Sequence, residues 1–417
     1  MNKKITIFII IFAFCLFIVF DNWHAISLKK EIENGISAEH LDYERYVKLF
    51  FTDFTKTLKF SNDTCDSEIC LEFLDRINSA ENSIDIAAYS WSKNVILETA
   101  LKNAKARGVR IRLVYDETKS GNKFKYGFKN LVDIVEVSQS DRSIKPSETA
   151  KLMHNKFVIF DENITMTGSM NFTGTGLSGF NSNVVIFVKS SEIASQYKKE
   201  FEQMLDGKFH SRKIEFVPQT VRFDGLSITP LFSPKNKIVS RYYLSLIGEA
   251  KNYIYLPTFI ITHNDVVEAL IDAVNRGVDV KMVIDATSAI NFEDKIIKLR
   301  ENGVIVKSEN YAGKMHSKIL IIDDNVVAIG SMNLSYSGEN LNDENILIIE
   351  NEDIAKRVKR YFEYTYDSIA EIYSTVNVRA ESFNSIGSCE DGIDNNYDRK
   401  IDKEDVACSV HEYSDVK

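Results

Sequence analysis

A chain of 417 residues, 44% hydrophobic and 27% charged with only 5 Pro, can hold two or three domains of about 100–200 residues each, which excludes a single small binding module. Composition this close to the globular average also excludes collagen-like, low-complexity and wholly disordered chains. With 51 Lys plus Arg against 60 Asp plus Glu, a net charge of −9, the balance argues against a broad basic surface for polyanions and leaves room for a local cationic pocket.

The first element follows Lys3 and Lys4. Ile5 to Phe20 is uncharged and apolar apart from Thr6, and Asp21, Asn22 and Trp23 succeed it. As a helix it rises about 24 Å, slightly short of a ~30 Å hydrocarbon core. Residues 1–26 therefore read as a signal peptide or a transmembrane anchor. No small-x-small cleavage site follows Phe20, which favours the anchor. Lys3 and Lys4 would stay in the cytoplasm, so the expected location is membrane-anchored or secreted, with the catalytic body extracytoplasmic. Residues 27–59 read as a juxtamembrane helix and linker. With Cys15 in the leader, Cys65, Cys70, Cys389 and Cys408 remain. Their even number permits two disulfides, and none has the spacing of a zinc site.

The body repeats itself. The stretch from Phe60 to Trp91 has a counterpart from Phe232 to Ile260. Arg107-Gly108-Val109, running into a strand that ends at Asp116, is matched by Arg276-Gly277-Val278 and a strand ending at Asp285. In both, a helical apolar pattern stops at Arg-Gly and an alternating strand follows. The third block is the most informative: MHNKFVIFDENITMTGSMN from Met153 matches MHSKILIIDDNVVAIGSMN from Met315. Each copy reads as strand, helix, strand, helix, several short strands and a closing helix, Ser191 to Leu205 in one and Asp353 to Tyr366 in the other. The fold class is thus α/β, two α/β/α units with mixed sheets at residues 60–210 and 225–375.

The repeated block reads His-x-Lys-x4-Asp-x6-Gly-Ser-x-Asn. It supplies His154, Lys156, Asp161, Ser169 and Asn171, then His316, Lys318, Asp323, Ser331 and Asn333. A strand turns residues i and i+2 to one face, so each His and its Lys can reach one ligand. Asp161 and Asp323 fall on the opposite parity and belong to the candidate catalytic set in a supporting role, anchoring the strand or its neighbours. Related by a pseudo-twofold axis, the copies would gather two imidazoles, two ammonium groups and four neutral donors around one tetrahedral anion. A phosphodiester suits this receptor, with both lysines, Ser169, Asn171, Ser331 and Asn333 on its non-bridging oxygens. One neutral imidazole can attack phosphorus and the other, protonated, can serve the leaving oxygen. The lysines supply the charge a metal pair would bring, so no catalytic cofactor is expected.

At these residues the sequence resembles the phospholipase D superfamily, over about residues 60–370. The resemblance implies a bilobal fold, one active site between the halves, and a metal-independent phosphohistidine mechanism with His154 as nucleophile and His316 as acid/base. Members also carry a later acidic residue that orients the imidazole. Glu344 fits this for the second copy. Ser182 or Asn183 stands at the equivalent place in the first, which leaves His154 without an obvious carboxylate partner.

The last element is CEDGIDNNYDRKIDKEDVAC, residues 389–408. Asp394, Asn396, Asp398, Asp402 and Asp405 take positions of an EF-hand-like loop, and the segment resembles the Cys-flanked, Asp-rich calcium modules of extracellular proteins. Arg399 stands where such a loop prefers Gly, and Asp405 is a short arm for bidentate binding, so a disulfide-closed acidic tail is the other reading. Three functions are in play: a lipid phosphodiesterase, a nuclease of the same fold, and an inactive membrane-tethered binding protein. The intact His and Lys pairs disfavour the last. An anchor at a membrane and the acidic body favour a phospholipid surface as partner. Lys123, Lys125 and Lys129, interleaved with Phe124, Tyr126 and Phe128, are the feature that suits a nucleic-acid strand. Both half-sites lie in one chain, so no obligate protein partner is expected. Water or an alcohol as acceptor, hence hydrolysis or transfer, is left open.

Overall fold

Two mixed sheets repeat one strand plan. The computed structural model describes residues 42–57, 59, 64–117, 128–141 and 151–409. The leader, residues 27–41 and the basic-aromatic stretch 121–127 lie outside the described residues, and among the described residues no helix is long and apolar enough to cross a membrane. Residues Arg45–Lys417 cluster as one unit.

The first sheet contains β1 (Val47–Phe51), β2 (Ser83–Ala88), β3 (Arg110–Asp116), β4 (Val137–Asp141), β5 (Lys156–Phe160), β6 (Ile164–Gly168) and β7 (Val184–Lys189), in the order β1-β7-β6-β5-β2-β3-β4. The second contains β8 (Val221–Phe223), β9 (Leu226–Ser233), β10 (Tyr253–Thr258), β11 (Asp279–Ile284), β12 (Ile305–Ser308), β13 (Ile319–Ile322), β14 (Val326–Gly330) and β15 (Glu344–Glu350), ordered β12-β11-β10-β13-β14-β15-β9-β8. In each sheet three parallel strands meet an antiparallel meander, β2 pairing β5 and β10 pairing β13. Part of the stretch read as juxtamembrane linker is sheet instead: β1 pairs antiparallel with β7, because Val47 and Leu49 alternate inward with Lys48 outward.

Helices cover the parallel halves, as parallel strands require. Beside α1 (Glu68–Ser79) lies α2 (Val95–Ala106), which begins where Asn94 accepts the Leu97 N–H. It ends at Arg107-Gly108. Gly108 takes φ +94°, a left-handed turn that suits glycine, while Arg107 donates to the carbonyls of Ile77 and Ala80. The second copy repeats the device. Its helix α4 (Asn264–Asn275) ends at Arg276-Gly277, and Arg276 donates to Ile247. The closing helices are α3 (Ser191–Leu205) and α5 (Glu352–Asp367), capped by Ser190 and Asn351.

The two sheets meet where β14 packs on β6 and β7. Buried there, Tyr197 sets its ring edge-on to Phe157 of the first copy and to Phe232 of the second, each 5.0 Å away, and donates to Asn345 at 3.0 Å. Aromatic burial and a satisfied hydroxyl thus lock the halves in one register. Cys65–Cys70 and Cys389–Cys408 are both disulfide-bonded. The second bond closes the terminal module, and that module is stitched to the loop before His316 by the Tyr311–Ile386 bridge.

Candidate active site

Each His of the repeated block precedes its strand, at a point where the chain bridges to the other copy. Met153 bridges Asp343 and Met315 bridges Ser182. The His154 N–H donates to the Asp343 carbonyl and the His316 N–H to the Ser182 carbonyl, both at 2.9 Å. Ordinary strand-type hydrogen bonds therefore set the register between the halves. The residue after each bridge partner, Glu344 or Asn183, is turned toward the imidazole of the opposite copy.

The consequence corrects the sequence reading. Glu344 does not orient His316; both its carboxylate oxygens lie 2.8 Å from His154 Nδ1. Ser331 Oγ donates to Glu344 at 2.6 Å and Asn342 Nδ2 at 3.1 Å. His154 is therefore the histidine with a carboxylate partner, supplied in trans by the second copy. His316 Nδ1 lies 3.0 Å from Asn183 Oδ1. That amide is fixed by donation to the Asn181 carbonyl at 3.2 Å and by acceptance from Ser169 Oγ at 3.0 Å. Ser169 and Ser331, expected on phosphate oxygens, thus donate to the groups that orient the imidazoles. The glycine before each serine makes this reach available. A Cβ on Gly168 would lie 2.1 Å from the Val184 carbonyl oxygen, and one on Gly330 2.1 Å from that of Asn345.

Lys156 and Lys318 are buried and donate at 2.6 Å to the carbonyls of His154 and His316. Each ammonium also stands over an aromatic ring, Tyr89 at 4.9 Å and Phe259 at 4.8 Å. The same rings contact the imidazoles, Tyr89 at 4.7 Å from His154 and Phe259 at 5.0 Å from His316. Sequence reasoning missed Tyr89 and Phe259, although each closely follows the inner parallel strand of its copy at matched positions of the repeat. The two imidazoles and two lysines lie in one field. Burial pushes His154 down to about 4 against the pull of Glu344, with Lys156 and Lys318 adding to the depression. Burial and then Lys318 and Lys156 hold His316 well below its usual range. Burial lowers Lys156 to about 7 and Lys318 far below a free ammonium. Both imidazoles are thus neutral at pH 7. The side-chain oxygens of Asn171 and Asn333 are buried and unpaired among the described residues.

The motif aspartates lie apart from the imidazoles. Asp161 accepts the backbone N–H groups of Glu81, Asn82 and Ser83, and Asp323 those of Lys251, Asn252 and Tyr253. Each ties the end of a motif strand to the start of the inner parallel strand. A second buried cluster braces the crossing. His210 lies 2.6 Å from Asp141 through Nε2 and 3.1 Å from Asp343 through Nδ1. Burial lowers this imidazole and the two carboxylates outweigh it, raising it overall. The two ring nitrogens point in different directions and Lys213 stands 2.7 Å from Asp343, so this is an ion bridge and not a ligand set for one metal. In the expected calcium loop the carboxylates bond the loop's own backbone. Asp394 accepts the N–H groups of Asp398 and Arg399, Asp402 those of Asp391 and Gly392, and Asp405 that of Ala407 and a proton of Asn396. Asp394, Asp398, Asp402 and Asp405 form no three-ligand group among the described residues. At the position where such a loop prefers Gly, Arg399 takes φ +77°. Of the basic-aromatic stretch, Phe128 is buried against Tyr115.

Two copies of one α/β unit, each lending a buried His-Lys pair to one electrostatically coupled cluster, define a duplicated two-unit fold. The family model described as "Cardiolipin synthase, PLD-like domain" matches residues 73–205 and 243–366, and the chain belongs to this phospholipase D-like family. It is 23% identical over 342 residues to cardiolipin synthase A of Wigglesworthia glossinidia brevipalpis, covering 72% of this chain and 66% of that protein. It is 26% identical over 329 residues to cardiolipin synthase 1 of Staphylococcus epidermidis, covering 70% and 64%. The chain thus spans slightly less than two thirds of these relatives. Among solved structures, phosphatidylserine synthase from Haemophilus influenzae Rd KW20 shares the fold with a TM-score of 0.57 at 13% identity, over 76% of this chain and 86% of that one.

Proposed function

We propose that this chain is a phospholipase D-type phosphodiesterase that hydrolyses or transfers the phosphatidyl group of a membrane phospholipid through a phosphohistidine on His154, with no catalytic metal. One observation carries the reading: two buried, mutually interacting imidazoles have unlike partners, His154 a carboxylate and His316 a neutral amide. With Nδ1–H held by Glu344, the His154 Nε2 lone pair is aimed outward, and the carboxylate offsets the positive charge that the ring gains as its N–P bond forms. The P–O bond to the leaving alcohol breaks, and His316 gives that oxygen its proton. Asn183 fixes the ring of His316 without adding a negative charge, so the imidazolium stays a strong acid. In the second half His316 takes the proton of water or an alcohol, the new P–O bond forms, and the N–P bond breaks. Lys156 and Lys318 supply the positive charge against the oxygens of the transition state.

The names of the two cardiolipin synthases support phospholipid as substrate over nucleic acid. The apolar leader, as an anchor, would keep the site at a membrane surface and outside the cytoplasm. The test incubates the full chain in EDTA with vesicles of labelled phosphatidylglycerol and phosphatidylethanolamine, and separately with single- and double-stranded DNA. Released headgroup or a diphosphatidyl product, lost in His154→Asn, is the expected result. Cleavage of DNA with intact lipid would overturn the substrate, and loss of activity in EDTA the metal-free chemistry.

A further inference from the structure

The His316 side of the cleft is not a copy of the His154 side. Lys314, two residues before His316, is matched in the first copy by Leu152. Its ammonium donates to Thr287 Oγ1 at 3.1 Å and to the Asn395 carbonyl at 3.0 Å, and stands 4.7 Å from the ring centre of Tyr397. Asn395 and Tyr397 belong to the disulfide-closed module, beyond the residues that the family pattern covers. The module is fixed to the loop that leads into His316. Asn395 Nδ2 donates to the Ala312 carbonyl at 2.9 Å, the Ala312 N–H to Ile386, and the Ile386 N–H to Asn310. Tyr397 itself remains 67% exposed, at a left-handed corner of φ +65°. An exposed aromatic side chain therefore stands on an ammonium two residues before His316.

We propose that Tyr397, seated on Lys314, is a specificity-determining residue: it walls the His316 side of the cleft and selects, by size, the alcohol that leaves or enters at phosphorus. This rests on the phosphodiesterase reading above, in which His316 serves the oxygen of that alcohol. The terminal module is then a lip of the active site, and the group it admits is small and hydroxyl-bearing, suited to the ammonium and amide groups beneath.

The test uses the full chain and a soluble diester, bis(p-nitrophenyl) phosphate, with glycerol and 1-hexanol as competing acceptors. Attack by either alcohol on the phosphohistidine forms an O–P bond, breaks the N–P bond and passes the hydroxyl proton to His316, giving a mixed diester that is separable from the water product. The ratio of glyceryl to hexyl product is blind to overall rate, so general damage does not move it. Tyr397→Ala is expected to shift this ratio toward hexyl by about tenfold, Tyr397→Phe to leave it near wild type, and Tyr397→Trp to shift it the other way. Wild-type turnover with one ratio in all four proteins would overturn the proposal alone. A wild type inert toward the diester would overturn the phosphodiesterase reading and this proposal with it.

Discussion

Replacing Glu344 by Gln tests whether the crossed carboxylate works on His154. The side chain is buried, meets Nδ1 with two oxygens at 2.8 Å, and accepts from Ser331 and Asn342. Gln keeps the volume and one oxygen but removes the charge. A buried hydrogen bond to a charged group is worth about 1.5–3 kcal/mol, and the benefit grows as the ring becomes cationic on phosphorylation. The expected loss in kcat/KM toward bis(p-nitrophenyl) phosphate is therefore about 10- to 150-fold. It should appear in the pre-steady-state burst, because phosphorylation of His154 is the step affected. Its pH dependence carries a sign. Glu344 raises the pKa of His154 against the larger lowering by burial, so its removal moves the acid limb to still lower pH, and raising the pH recovers nothing. A variant within twofold of wild type, with an unaltered burst, would refute the role assigned to the pair.

Other perturbations separate the remaining parts. His316→Asn should keep a nitrophenolate burst, since that leaving group needs little proton donation, yet stall afterwards; base-quenched label should then sit on His154. The free-enzyme pH profile of kcat/KM should fall below about pH 4 as His154 protonates and above about pH 7 as Lys156 loses its proton, and flat activity to pH 9 would contradict it. Asp161→Ala and Asp323→Ala each strand three backbone N–H groups at a left-handed residue, φ +49° and +45°. They should lower stability by about 1–3 kcal/mol in urea melts, with Asp→Asn losing less and KM changing little. Gly330→Ala should lower both the melting midpoint and activity, because its methyl meets the Asn345 carbonyl and displaces the strand that carries Glu344.

Much of this was legible in the sequence because it is written in local patterns. Helix stops at Arg-Gly, the His-x-Lys spacing and the closing helices depend on short-range geometry, and the duplication printed each of them twice. The motif aspartates were readable as anchors from strand parity alone. What was hidden is what crosses between copies. Glu344 was assigned to the histidine of its own copy, since spacing along the chain says nothing about which half a strand end faces. The bridges from Met153 to Asp343 and from Ser182 to Met315 decide it, and they exist only in the folded chain. β1 was lost for a related reason: five residues of an edge strand carry too little pattern to be told from a linker. The acidic loop has two readings in sequence for a physical reason: its residue types fit an ion, and side chains of Asp and Asn also cap turns, as they do here.

The crossing also explains how a duplicated fold escapes equivalence at its site. Backbone symmetry gives both imidazoles the same approach, a lysine at i+2 and an aromatic ring at matched positions, Tyr89 or Phe259. If the partners were also alike, both rings would have the same basicity, and neither would be the better nucleophile or the better acid. One difference at matched positions, Glu344 against Asn183, is enough to separate them, because in a buried cleft a single charge beside Nδ1 outweighs every small geometric difference. Lys314 against Leu152 then adds a second difference on the His316 side, and the terminal module docks on it. In the proposed mechanism, chemistry at phosphorus and choice of alcohol would fall to opposite sides of one site. A change at Tyr397 would then alter the acceptor without touching the His154–Glu344 pair.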